Sequence, residues 1–168
     1  MQEPSVVHNT FVLERSYPRP PKIVFAAFAD ADKKRRWFAE GQGHELQQFE
    51  LDFRVGGAER HRYRLKAGTP VAGMIITNEG RYQDIVPERR IVTAATMDLG
   101  EKRILISLVT AEFLATDEGT DLILTLQGVY LSGPNGLTPE MLEGGWRVLL
   151  DKLEMELSGA GSTDEGDA

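Results

Sequence analysis

The stretch Gln47-Gln48-Phe49-Glu50-Leu51-Asp52-Phe53-Arg54-Val55-Gly56-Gly57-Ala58-Glu59-Arg60-His61-Arg62-Tyr63-Arg64-Leu65-Lys66 alternates in chemistry on both sides of a glycine pair. Such alternation marks strands whose side chains leave toward opposite faces, and two such runs joined by glycines read as a β-hairpin. With Val55-Gly56-Gly57 as the loop and glycine in its left-handed position, Arg54 faces Ala58, Asp52 faces Arg60 and Glu50 faces Arg62. The same register sets Leu51 opposite His61 and Phe49 opposite Tyr63. A tighter Gly56-Gly57 turn would set Phe53 against Arg60, so the longer loop is preferred. One face then carries acid–base pairs, and the other carries Phe49, Leu51, Phe53, His61, Tyr63 and Leu65. A wet outer face and an inner face that mixes aromatics with His61, Tyr63 and, near the tip, Glu59 point to a lined cavity more than to a plain core.

Outward from the hairpin, the periodicity gives the remaining elements. His8 to Tyr17 alternates as a first strand and ends at the Pro18 to Pro21 run. Ile23, Val24, Ala27 and Phe28 recur at helical spacing after Pro21, and Asp30 caps a second short helix through Lys33 to Arg36 that presents Trp37 and Phe38. Beyond a Gly68-Thr69-Pro70 turn, strands are expected over about 73–85, 91–97, 103–115 and 120–131, separated by Pro87 and by Asp117-Glu118-Gly119. Thr138 is a natural N-cap for a long helix with Pro139 in its first turn. Its stripe of Leu142, Trp146, Leu149, Leu150, Leu153 and Leu157 faces a core, with Glu143, Arg147, Asp151, Lys152, Glu154 and Glu156 outward. The expected organisation is one α+β domain over residues 1–157, a curved antiparallel sheet wrapped around the last helix, followed by a disordered acidic tail over 158–168.

Composition narrows the function. The chain has 168 residues, 41% hydrophobic and 27% charged, which is ordinary for a globular domain. Its formal net charge of −7 argues against a general binder of nucleic acid or anionic membrane. The basic run Lys33 to Arg36 sits among Asp30, Asp32 and Glu40, and the row Arg60, Arg62, Arg64, Lys66 faces acids, so neither reads as a nucleic-acid surface. The chain has no cysteine, so disulfides and thiolate sites are excluded; the absence fits a reducing cytoplasm. No signal peptide and no apolar run long enough to span a bilayer is expected. His8, His44 and His61 lack the paired spacing of a metal site, and neither a nucleophile elbow nor a phosphate loop is present, so no metal or cofactor is expected.

Five blocks carry a family resemblance: Pro21-Lys22-Ile23-Val24-Phe25-Ala26-Ala27-Phe28 leading to Trp37, Asp52 to Gly57, Gly80 to Val92, Gly119 to Leu126, and Gly144-Gly145-Trp146 to Leu153. In this order they resemble the branch of the START-like (SRPBCC, polyketide cyclase/dehydrase and lipid transport) superfamily that is named for activators of the heat-shock chaperone ATPase. The resemblance implies a helix-grip fold with an apolar cavity between sheet and last helix, used across the superfamily for lipids, polyketides, steroids and other hydrophobic molecules. The activators that name the branch carry a further N-terminal chaperone-binding domain, whereas this chain opens on its first strand, so chaperone activation is not expected. Where the branch commonly has bulky aromatics, this chain has Thr93 and Ala95, which leaves room inside. Fold alone does not fix an activity.

The residues then support three readings. The first is a binding protein for a small hydrophobic molecule (lipid, polyketide or aromatic), with Phe28, Trp37, Phe53, His61, Tyr63, Tyr82, Thr93, Ala95, Met97 and Trp146 lining the cavity. The second is a cyclase or hydrolase that uses His61, Tyr63, Glu59 or Asp84 for proton transfer. Asp84 is read with two placements, as an acid in the cavity or as an exposed partner of Arg81 or Arg90. The third is an interaction module, such as a homodimer, whose interior is only core.

Overall fold

In the computed structural model, which describes residues 5–68 and 70–159, seven strands form one antiparallel sheet. The elements run β1 (Val7–Tyr17), α1 (Pro21–Ala29), α2 (Ala31–Lys34), a π-helical turn (Arg35–Ala39), β2 (His44–Leu51), β3 (Ala58–Leu65), β4 (Ile75–Val86), β5 (Arg90–Leu99), β6 (Lys102–Thr116), β7 (Gly119–Tyr130) and α3 (Pro139–Leu157). Strand order is β1-β7-β6-β5-β4-β3-β2, so β2 to β7 form a meander and β1 closes against β7. The α+β helix-grip arrangement expected from the sequence is present. The expected turn at Gly68-Thr69-Pro70 includes Thr69, and most of the expected acidic tail, residues 160–168, likewise lies outside the described residues.

The hairpin keeps its sorted faces but not its expected partners. Leu51 pairs with Glu59, Glu50 with Arg60 and Phe49 with His61, a slip of two residues that preserves which side chains face inward. The slip comes from a tertiary contact. Asp52 to Gly57 form a wider loop: Gly56 N donates to Tyr82 O at 2.8 Å and Tyr82 N to Gly57 O at 3.1 Å, so both glycines extend the ladder with β4. Gly56 has φ +84°, and a Cβ on Gly57 would lie 2.0 Å from Asp52 O, so neither position tolerates a side chain. The expected ion pairs re-partner accordingly, with Arg60 on Glu79 of β4 and Asp52 on Arg54 at 2.9 Å.

Helix α3 begins at its N-cap Thr138, whose hydroxyl accepts from Met141 N at 3.2 Å. Its C-terminal half is tied down from several directions. Tyr17 hydroxyl donates to Leu150 O at 2.9 Å, Arg15 meets Asp151 at 2.5 Å, and Arg19 donates to Leu157 O at 3.1 Å. Glu156, expected to face outward, instead has a buried side chain that receives Arg36 at 2.5 Å, because the π-helical turn packs directly on this end of the helix. Leu150 and Leu153 are fully buried at the centre of the core with Leu122, Leu124 and Val24.

Gly144 and Gly145 lie inside α3 with nothing within 4 Å of where a Cβ would stand. Glycine in a helix interior costs roughly 1 kcal/mol relative to alanine. Gly144→Ala is therefore expected to stabilise the chain by about 1 kcal/mol, read as a higher urea midpoint at unchanged slope. An unchanged or lower midpoint would show that the open space is filled in solution.

Candidate functional site

A cavity of about 880 Å³ lies between the concave face of the sheet and α3. Its floor has a physical origin in one cross-strand row. Glu59, Gly80, Ala95, Ser107, Gly128 and Asn9 are successive partners across β3, β4, β5, β6, β7 and β1. Gly80, Ala95 and Ser107 of this row line the cavity and carry almost no side chain, while Gly128 lies under the Tyr130 ring. Larger residues at the neighbouring levels, including Ile91, Met97, Leu105 and Leu124, form the walls, and Leu142, Trp146 and Leu149 of α3 form the roof.

Polar groups gather on the β3 wall. Lys34 of α2 and Glu59 of β3 are both buried, with Lys34 Nζ 2.7 Å from Glu59 Oε1 and 2.9 Å from Oε2. Tyr82 hydroxyl donates to the same Oε2 at 2.9 Å. Burial, and then the Glu59 charge, hold the Tyr82 hydroxyl far above the usual phenol range, so it stays a donor. The Lys34 ammonium also lies 4.7 Å from the centre of the Phe38 ring, an added cation–π contact.

His61 follows Glu59 on the same inward face and is buried. Its Nε2 lies 2.9 Å from Asn78 Nδ2, which is a donor, so Nε2 is the acceptor and the ring is neutral with its proton on Nδ1. Burial pushes its pKa down to about 4, with nearby Lys34 acting in the same direction and Glu59 opposing. The ring stacks on Tyr63 at 5.5 Å and meets the edge of Phe38 at 5.1 Å. Burial raises the Tyr63 pKa, partly offset by its hydrogen bond with Asn78. His44 completes this wall, its Nε2 donating to Ala39 O at 2.6 Å and its ring lying 4.4 Å from Tyr63. The arrangement can orient a ligand through a neutral ion pair, a neutral imidazole and a phenol against an otherwise apolar volume.

The sequence matches, over residues 18–158, the family described as activator of Hsp90 ATPase homolog 1-like protein. The chain belongs to this family. An uncharacterized protein from Rhizobium leguminosarum is 37% identical, with 91% of this chain and 96% of that one covered and a TM-score of 0.81. Protein Mll3558 from Rhizobium loti is 38% identical, covering 90% of this chain and 98% of its own, with a TM-score of 0.78. The AHSA1-like protein from Aeromonas hydrophila, at 21% identity and a TM-score of 0.66 with 95% and 99% covered, shares the fold. Among curated proteins nothing matches the chain.

Within this member of the activator-homolog family, Phe28, His61, Tyr63, Thr93, Ala95, Met97, Trp146 and Glu59 all line the cavity. Three residues expected on its wall are placed behind it. Trp37 is sealed in the core, its indole N–H donating to Ala27 O at 2.7 Å. Phe53 lies in the widened hairpin loop with its ring edge-on to Phe25 and Tyr82. Tyr82 is 1% exposed and reaches the site only through Glu59. Asp84 takes the outer of its two placements: a bulge at Gln83 turns it to the outer face, where Arg90 meets it at 2.5 Å. The sequence reading missed Lys34, Phe38, Asn78 and Ser107. The signal for Lys34 was present, since Lys34, Trp37 and Phe38 stand at the i, i+3, i+4 spacing of one helical face. Among the described residues no helix is long and apolar enough to cross a membrane, and no cluster of three His, Cys, Asp or Glu has the makings of a metal site.

Proposed function

We propose that this protein is a binding protein that holds one small, mainly apolar molecule in the cavity between the sheet and α3. The observation that carries the reading is the cavity itself, about 880 Å³ with a small-residue floor and polar groups confined to one wall. Ligand sites of roughly 300–1,000 Å³ with few polar groups are the usual form for such molecules. Membership of a START-like family points the same way. His61, Tyr63 and Asn78 set the orientation of the molecule, while Thr93, Ala95, Met97 and Trp146 contact its body. With no cysteine anywhere in the chain, the proposed compartment is the cytoplasm.

Native mass spectrometry of the purified protein, followed by extraction and identification of any adduct, tests the reading. A discrete hydrophobic adduct is expected. Ala95 stands on the central strand with open cavity above it, so Ala95→Trp is expected to divide the volume and lower occupancy more than tenfold while the circular dichroism spectrum stays the same. An apo mass, with no thermal shift against lipid and aromatic libraries, would overturn the reading in favour of a protein-interaction module.

A further inference from the structure

The two edges of the sheet are built differently. β2 forms one of them and β1 the other. β2 has only eight residues, and a bulge at Gln47 interrupts its ladder with β3, both ordinary means of blunting an edge. β1 has neither protection. Its eleven residues pair with β7 without a register shift and include no proline and no lysine. Among the described residues, no backbone hydrogen bond reaches its other side, so a row of N–H and C=O groups stands open along it. Val12, at the midpoint of the strand, is 50% exposed although Phe11 and Leu13 on either side of it are buried.

We infer that two copies of this chain join through β1, antiparallel about a two-fold axis at Val12, and so extend their sheets into one. The sequence of the strand is complementary to itself in that register. Val12 meets its own counterpart on the outer face, Phe11 meets Leu13, Thr10 meets Glu14 and Asn9 meets Arg15, so no two like charges are opposed. The ladder runs the full length of β1 and supplies about ten hydrogen bonds, as many as an ordinary protein interface carries. Moving the axis by one residue keeps each side chain on its face but shortens the ladder. At Leu13 it would set Phe11 against Arg15, and at Phe11 it would set Leu13 against Asn9. No residue of β1 lines the cavity, so this pairing stands or falls apart from the binding reading.

Sedimentation velocity of the wild-type protein across the micromolar range is expected to show a dimer. Val12→Glu sets two carboxylates face to face on the axis, and the dissociation constant is expected to rise at least tenfold while the circular dichroism spectrum stays the same. Because the chain has no cysteine, single substitutions then read the register. Val12→Cys places two sulfurs opposite each other, at a Cα separation that a disulfide bridges, and is expected to cross-link under mild oxidation. Thr10→Cys places them four residues, about 13 Å, apart along the ladder and is expected to stay uncrosslinked. A wild-type monomer throughout the range, a dimer that Val12→Glu leaves intact, or Thr10→Cys cross-linking as readily as Val12→Cys would each overturn the inference.

Discussion

Lys34→Met is expected to destabilise the protein by roughly 3–5 kcal/mol, the usual consequence of removing one partner from a buried ion pair. The methionine fills most of the lysine volume, so the loss is electrostatic rather than a cavity effect. Among the described residues, what remains is a Glu59 carboxylate with Tyr82 as its sole donor, beside Phe38 and Phe28. Replacing both charges should behave differently. Lys34→Met with Glu59→Met restores much of the stability, because a buried pair exchanged for apolar groups of similar volume is often close to neutral. Tyr82 then keeps a buried hydroxyl without an acceptor, so recovery is completed only when Tyr82→Phe is added. Urea denaturation of the three variants reads the series. A single variant within about 0.5 kcal/mol of wild type, the range of ordinary surface substitutions, would mean that Lys34 reaches water in solution.

Acidification should produce the second large effect, through His61. Its pKa is lowered from 6.5 in the unfolded chain to about 4 in the folded protein. Between those values the unfolded chain binds the proton and the folded one does not, so stability is fully present above pH 6.5 and falls as the pH drops toward about 4. At about 1.4 kcal/mol per pKa unit the loss across that window is roughly 3 kcal/mol. The informative quantity is the difference between wild type and His61→Gln, which isolates the contribution of this one imidazole. Glutamine retains an acceptor for Asn78 but does not titrate. The variant is expected to show a flatter profile from pH 6.5 to about 4. Parallel profiles would show that His61 is solvated.

Much of the fold was legible because parity survives local errors. In the hairpin the expected partners were displaced by two residues, yet His61, Tyr63 and Glu59 still faced inward, since only an odd slip exchanges the faces. The displacement itself came from Gly56 and Gly57 pairing with Tyr82, a long-range contact that a local register argument does not contain. Asp84 was ambiguous for the opposite reason. The bulge at Gln83 changes parity in mid-strand, and nothing in the residue types marks it. Lys34 is counted in the sequence only as part of the basic run Lys33 to Arg36, although its spacing to Trp37 and Phe38 sets it on the buried face. Glu156 was assigned by its charge to the wet side of α3, where its position one residue before Leu157 gave no warning that Arg36 would cover it. Charge type alone places neither residue, because each burial depends on one specific partner.

The cross-strand row of Gly80, Ala95, Ser107 and Gly128 gives this architecture a way to diverge. Two of its positions are already covered: a Cβ on Gly80 would meet Thr93 Cγ2 at 2.8 Å, and one on Gly128 would meet the Tyr130 ring at the same distance. Ala95 and Ser107 stand open. Their side chains can lengthen without breaking a backbone hydrogen bond of the sheet, so the capacity of the interior is inherited separately from the integrity of the scaffold. A gene duplicate would need a change at one of these codons to admit a smaller guest, and selection for cargo could then proceed with little penalty in folding.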